Sequence, residues 1–382
     1  MDFITAIFWV SFVLILYTYW GYGAFLRFLT LIKKNRIENG PVTPSITILI
    51  AVYNGEQNIR AKLGNTLELD YPREKMEIVV VSDGSTDRTN KIVREYASQN
   101  VKLVALDQRR GKESAQKIGI DHSNGEIIIF SDAGTIIRKD AIQNLLSNFN
   151  DEGIGCVSGE DIMSLSEECY SLAGEMSYGN YELSIRRLES LVGTMIGVSG
   201  CFFAVRKELT GCWPEDVPSD FMVPLLIIKK GKRVVSEPKA ICFVGAVKSL
   251  SEEFERKVRT MIRGMTTLFR RKEMLNLFRW GIVSVELASH KLFRWLVPLF
   301  LILLFTANYY LIRQHLFYKV FMILQSGFYL LSIVAFLFGM TRVNNRLVRI
   351  LSFYLMTNVA TMVAWGRYIS GDKRTIWEPS KR

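Results

Sequence analysis

Hydrophobic and polar positions divide the chain into unlike stretches. Residues 3–32 are nearly continuous apolar sequence, with Arg27 as the only charge near the end. A signal-peptide core runs roughly 7–15 residues, so this longer run predicts a retained membrane helix, with domain 1–36 as an anchor. From residue 46, short apolar runs (ITILIAVYN, MEIVVVSDGS, VKLVALDQ, GEIIIFSDAGT) alternate with amphipathic helical patterns. That alternation predicts an α/β domain over 45–245, with a mostly parallel sheet and functional loops at the carboxyl ends of its strands. Gly40, Pro41 and Pro44 in the linker 38–45 mark its start.

Beyond residue 245 the period becomes helical throughout. Residues 249–272 set Phe254, Val258, Met261, Ile262 and Met265 opposite a basic face, which predicts a helix laid on a membrane interface. Residues 275–294 continue in kind but carry Arg279, Glu286, His290 and Lys291, so 246–294 reads as an interface region. Residues 295–312 and 317–340 are long and apolar enough to span a bilayer, with Trp295, Tyr309, Tyr310 and Tyr318 as interfacial anchors. For 347–369 two rules conflict. Alternating spans put the basic tail 370–382 outside, whereas its charge belongs inside; the conflict favours a re-entrant or in-plane helix, with a third C-terminal span as the alternative.

Composition sharpens this reading. A net charge of +11 coexists with 49% hydrophobic residues, and the charge flanks the apolar segments: Lys33, Lys34 and Arg36, then Arg270, Arg271 and Lys272, then Arg342, Arg346 and Arg349. Membrane lipid is therefore the expected partner, not nucleic acid. The basic cluster after residue 32 places the 45–245 domain in the cytoplasm. The five cysteines are odd in number and lack metal-ligand spacing, which reads as reduced, buried thiols.

Four constellations carry chemistry. Asp83-Gly84-Ser85 ends one strand, close to Gly55 and Glu56 at the end of another; either pair alone is ordinary turn chemistry, but a carboxylate there can also accept hydrogen bonds from a nucleoside. Arg109, Arg110, Gly111 and Lys112 precede a helix, as a solvated basic loop or as a phosphate site. Asp132 closes a buried strand, an expensive placement unless something binds it. Asp220 opens a helix, as cap or as catalyst.

In their order, AVYNGEQNI, VSDGSTDRT, RRGK, SDAG, GCFFAVRKEL, PSDF and RKVRTMIRG together resemble the family-2 inverting glycosyltransferases of GT-A fold. The resemblance is to the membrane-embedded branch that includes cellulose- and hyaluronan-synthase-like enzymes and exopolysaccharide transferases. It implies a nucleotide-sugar donor, with Ala51, Tyr53, Glu56 and Asp83 around the uridine of a UDP-sugar and Lys112 near the diphosphate. Asp132 matches the first acid of the Asp-x-Asp motif and would bind Mg²⁺ or Mn²⁺, although Gly134 replaces the second acid. Asp220 matches the general base, and Arg259, with Arg263 one turn on, would hold the departing diphosphate. Thr260 stands where processive synthases carry tryptophan, which implies single-sugar addition to a lipid-linked or saccharide acceptor. The expected setting is a bacterial inner or plasma membrane, and a processive synthase or a non-catalytic scaffold of the same fold are the alternatives.

Overall fold

The computed structural model describes residues 3–163, 172–211, 213–245, 250–339 and 345–372. Its centre is one eight-stranded sheet: β1 (Ile46–Val52), β2 (Met76–Ser82), β3 (Val101–Ala105), β4 (Ile127–Asp132), β5 (Thr135–Ile137), β6 (Ile154–Met163), β7 (Phe202–Arg206) and β8 (Arg233–Val244). The spatial order is β3-β2-β1-β4-β7-β6-β8-β5. β1 pairs in parallel with β2 and β4, and β2 with β3. Both faces of these strands are covered, which is why they read as unbroken Val and Ile runs instead of alternating.

The chain steps outward from β1 to β3 and then returns across β1 to β4, so strand order reverses between β1 and β4. Ligands of such sheets bind in the crevice outside the strand ends at that switch point. Ala51 and Asp132 are register partners across it, and Val52 pairs with Ser82, the residue before Asp83. Past β4 the sheet is mixed, since β7 runs antiparallel to both β4 and β6.

The Leu250–Arg270 helix departs from its expected placement. Val258, Ile262 and Met265 are fully buried and belong to one core with Phe221, Leu287, Trp295 and Ala360. The apolar face assigned to the membrane surface therefore faces protein, because later helices fold back over it. Burial of each such side chain contributes roughly 1.5–3 kcal/mol.

Among the described residues, four helices are long and apolar enough to cross a membrane: Phe3–Ile32, Ile282–Leu311, Leu316–Leu337 and Arg346–Ile369. The second begins well before the expected residue 295. Glu286 and His290 do not interrupt it because both turn into the protein and are buried there. The last is one unbroken helix, not a re-entrant pair, and runs beside Leu250–Arg270. Lys257 lies 4.3 Å from the Phe353 ring, Thr361 Oγ1 donates to Met261 Sδ at 3.3 Å, and Tyr368 stacks on Phe269. Cys156, Cys201 and Cys242 are buried free thiols, as expected; Cys169 and Cys212 lie outside the described residues.

Candidate active site

The loops after β1 and β2 are tied together at the sheet edge. Asn54 adopts a left-handed backbone (φ 47°), donates its N–H to Ser85 Oγ and accepts from the Thr86 N–H with its side chain. Arg88 forms a two-pronged pair with Glu56, holding that carboxyl below its ordinary range, and Asp87 accepts the Glu56 N–H. Asp83 is 4% exposed, and its two carboxylate oxygens accept the backbone N–H groups of Arg110 and Gly111 at 2.7 and 2.8 Å. It thus anchors the basic loop against the β2 end. Gly84 (φ 67°) is needed for this approach, since a Cβ there would lie 2.6 Å from the Arg109 nitrogen. The Arg109 guanidinium then sits 4.1 Å over the Tyr53 ring, forming a flat, cationic wall at the β1 mouth.

At the switch point, Lys112 Nζ contacts Asp132 Oδ1 at 2.5 Å and donates to the Gly200 carbonyl at 2.9 Å. Burial opposes the Lys112 charge, but the Asp132 carboxylate more than offsets it and raises the ammonium above its ordinary pKa. Beneath them, Lys62 is fully buried and donates to Ser131 Oγ and the Thr135 carbonyl, fixing both sides of the Asp132-Ala133-Gly134 turn. Sequence reasoning passed over Lys62, because one lysine in a polar helix carries no signal of burial.

Asp220 stands on the first turn of the Ser219–Lys229 helix. Pro218 is the cap position and no side chain caps the helix, so Asp220 does not serve the bland role open to it. Its half-buried carboxylate lies over Gly200, where a Cβ would come within 2.7 Å of Oδ2, and it accepts no hydrogen bond among the described residues. Asp220, Lys112, Asp132 and Gly134 line one cavity of about 1580 Å³.

Arg259 lines the same cavity. Arg263, 5% exposed, pairs with buried Glu113, the neighbour of Lys112. Burial pushes the Glu113 carboxyl up, against the pull of Arg263. Arg263 therefore braces the helix that carries Lys112. Ala51, Tyr53 and Glu56 also line the cavity, whereas Asp83 acts one layer behind it. The residues present make only a partial metal site: Asp132 is one carboxylate, Gly134 adds none, and among the described residues no three His, Cys, Asp or Glu side chains converge.

The crevice at the strand ends thus brings Glu56, Asp132, Lys112 and the Asp220 carboxylate onto one cavity. Residues 47–211 match the model of glycosyl transferase family 2, and this chain carries a glycosyltransferase domain of that family. The fold is GT-A: the mannosyltransferase PcManGT from Pyrobaculum calidifontis, in complex with GDP-Man and Mn²⁺, superposes with a TM-score of 0.73 at 21% identity, covering 96% of this chain and 99% of that one. Poly-beta-1,6-N-acetyl-D-glucosamine synthase from Staphylococcus aureus is 29% identical over 264 residues, 66% of this chain and 63% of the relative. The Staphylococcus epidermidis protein of the same name is 27% identical over 231 residues, 59% of this chain and 56% of the relative. The chain thus spans less than two thirds of the curated relatives it matches.

Proposed function

We propose that this chain transfers one sugar, with inversion, from a nucleotide-sugar to a lipid-linked or saccharide acceptor at the cytoplasmic face of a membrane, in polysaccharide or glycan assembly. The observation that carries the reading is Asp220, a carboxylate that accepts no hydrogen bond among the described residues and lines one cavity with the Lys112–Asp132 pair. The donor nucleoside lies against Tyr53 and Arg109, and its diphosphate reaches Lys112 and Arg259. Asp220 takes the proton of the acceptor hydroxyl as that oxygen attacks the anomeric carbon, and the nucleoside diphosphate leaves from the opposite face. Arg259 and Lys112 stabilise the charge that grows on the diphosphate more in the transition state than in the ground state. Asp132 would hold a divalent cation together with the donor diphosphate, and the cation would supply further charge neutralisation there.

Asp220→Asn tests this directly. Binding of UDP or GDP, measured by calorimetry, should stay near wild type while transfer falls by roughly two to four orders of magnitude. Undiminished turnover would move the base to another carboxylate. A panel of UDP- and GDP-sugars, scored by protection against thermal unfolding, identifies the donor. Similarity to polymer-forming synthases favours a second reading, processive extension, which product length separates from single addition.

A further inference from the structure

The cavity has a second lobe that the transfer step leaves unused, between the Leu172–Val192 helix, the first membrane-length helix and the start of Ile282–Leu311. Arg186, Lys291 and Arg294 line it. Two π-helical turns, Tyr17–Gly21 and Leu287–Leu292, meet there through a 2.8 Å hydrogen bond between Tyr17 Oη and Ser289 Oγ. Such turns recur at functional sites, and the second carries His290 and Lys291, both on the cavity wall.

The lobe holds acids as well as cations, and Asp161 lines it and acts on Arg186. Glu182 is shared: Arg186 Nε lies at 3.3 Å, Arg294 donates at 2.6 Å and His290 Nε2 lies at 2.8 Å. Glu189 is taken by Tyr22 Oη and by His290 Nδ1. Lys291 forms no hydrogen bond or ion pair among the described residues, and its ammonium lies 5.4 Å from the ring of Phe221, the residue after the proposed base. Asp220 also acts electrostatically on Arg186, so the lobe borders the acceptor side of the reaction. This half-buried ammonium has the Phe221 ring beside it and Glu182 and Glu189 acting on it only through space, so an anion that reaches it directly offsets the cost of its burial. Beside it, Tyr19, Trp295 and Val297 give the lobe an apolar flank contributed by two membrane-length helices.

We propose that Arg186, Lys291 and Arg294 form a binding site for the phosphate of an amphipathic, lipid-linked acceptor, whose chain lies against Trp295 and Val297. The proposal rests on the glycosyl-transfer reading and names its acceptor class. The test uses the full chain in detergent, with geranyl phosphate, geraniol and inorganic phosphate as probes in binding titrations. Geranyl phosphate should bind with an affinity that falls at least about tenfold in Lys291→Gln and is largely kept in Lys291→Arg. UDP affinity should be unchanged in both variants, which reports an intact fold and nucleotide half. Geraniol binding as tightly as geranyl phosphate, or an unchanged affinity in Lys291→Gln, overturns the phosphate site. Inorganic phosphate binding as tightly as geranyl phosphate overturns the lipid assignment and makes the ligand a soluble phosphate. Failure of the glycosyl-transfer reading has a separate signature, wild-type protein that binds geranyl phosphate normally but turns over no nucleotide-sugar.

Discussion

Lys62 shows what a single side chain fixes at this site. Burial lowers its pKa from 10.5 to about 8, and its two hydrogen bonds hold the ends of the turn after Asp132. Between pH 8 and the ordinary lysine range, the unfolded chain binds a proton that the folded chain has released, so stability from this group rises with pH across that window. At neutral pH both states are charged and the buried ammonium costs on the order of 3 kcal/mol. Thermal unfolding of wild type and Lys62→Met from pH 7 to 10 should show a wild-type gain that the variant lacks; parallel curves would remove Lys62 as the titrating group. Gly134 offers a second test, because a side chain there would meet nothing within 4 Å and its φ is unstrained. Gly134→Asp should fold normally and tighten Mn²⁺ binding in the presence of UDP, read by calorimetry, and unchanged affinity would place the cation away from Asp132. The acids at 83, 132 and 220 were legible in the sequence because strand ends and helix starts announce themselves. Lys62 and Lys291 were not, since Lys62 meets a hydroxyl and a carbonyl 69 and 73 residues away and Lys291 meets the Phe221 ring, contacts that no local pattern encodes.

At the scale of elements, the strands β1 to β4 and the membrane-length helices were readable from apolar run length alone. The Leu250–Arg270 helix was readable as amphipathic, but a buried apolar face and a lipid-facing one have the same period, so its partner was not. Its cationic side now divides by contact. Arg259 lines the cavity, whereas Arg270 pairs with Asp216 near the surface. Arg259→Ala should abolish transfer in detergent, Arg259→Lys should keep part of it because charge survives without the two-pronged geometry, and Arg270→Ala should change little. Equal activities at 259 and 270 would remove the helix from catalysis. The Arg346–Ile369 helix packs first on Leu316–Leu337, where Ser352 donates to the Ala335 carbonyl, and then beside Leu250–Arg270, and its most exposed apolar residues, among them Leu347, Val359, Met362 and Ile369, gather on one side. We propose that it lies in the membrane plane, which returns the basic tail to the cytoplasmic side and resolves the conflict with the charge rule. A green fluorescent protein fused after residue 382 should then fluoresce, as it does when folded in the cytoplasm; a dark fusion with full expression would make this helix a fourth crossing.

For the whole molecule, the packing of the remaining three membrane-length helices decides between one sugar and a polymer. A growing glycan needs a polar path that continues from the active site through the membrane. The cavity here reaches Tyr19, Trp295 and Val297, about midway along their helices. Beyond that level the helices close on each other. Phe8 is fully buried against Leu304, Ala307 and Leu311, and its ring packs edge-on against Tyr318 and Phe321. Among the described residues, none of that cluster lines the cavity. Opening a path there would expose well-packed aromatic and aliphatic side chains, each worth roughly 1.5–3 kcal/mol of burial, and would leave backbone groups facing the gap. Thr260, at the place where processive relatives of this fold are expected to carry tryptophan, is exposed and lines the cavity. The purified protein, supplied with excess donor and a defined acceptor, should therefore yield a product longer by one sugar, seen as a single mass increment. The increment should stay single when the donor-to-acceptor ratio is raised a hundredfold, because each product must leave by the way it came. A ladder of lengths that grows with that ratio would establish processive extension, and the closed Phe8 cluster would then have to open during the reaction.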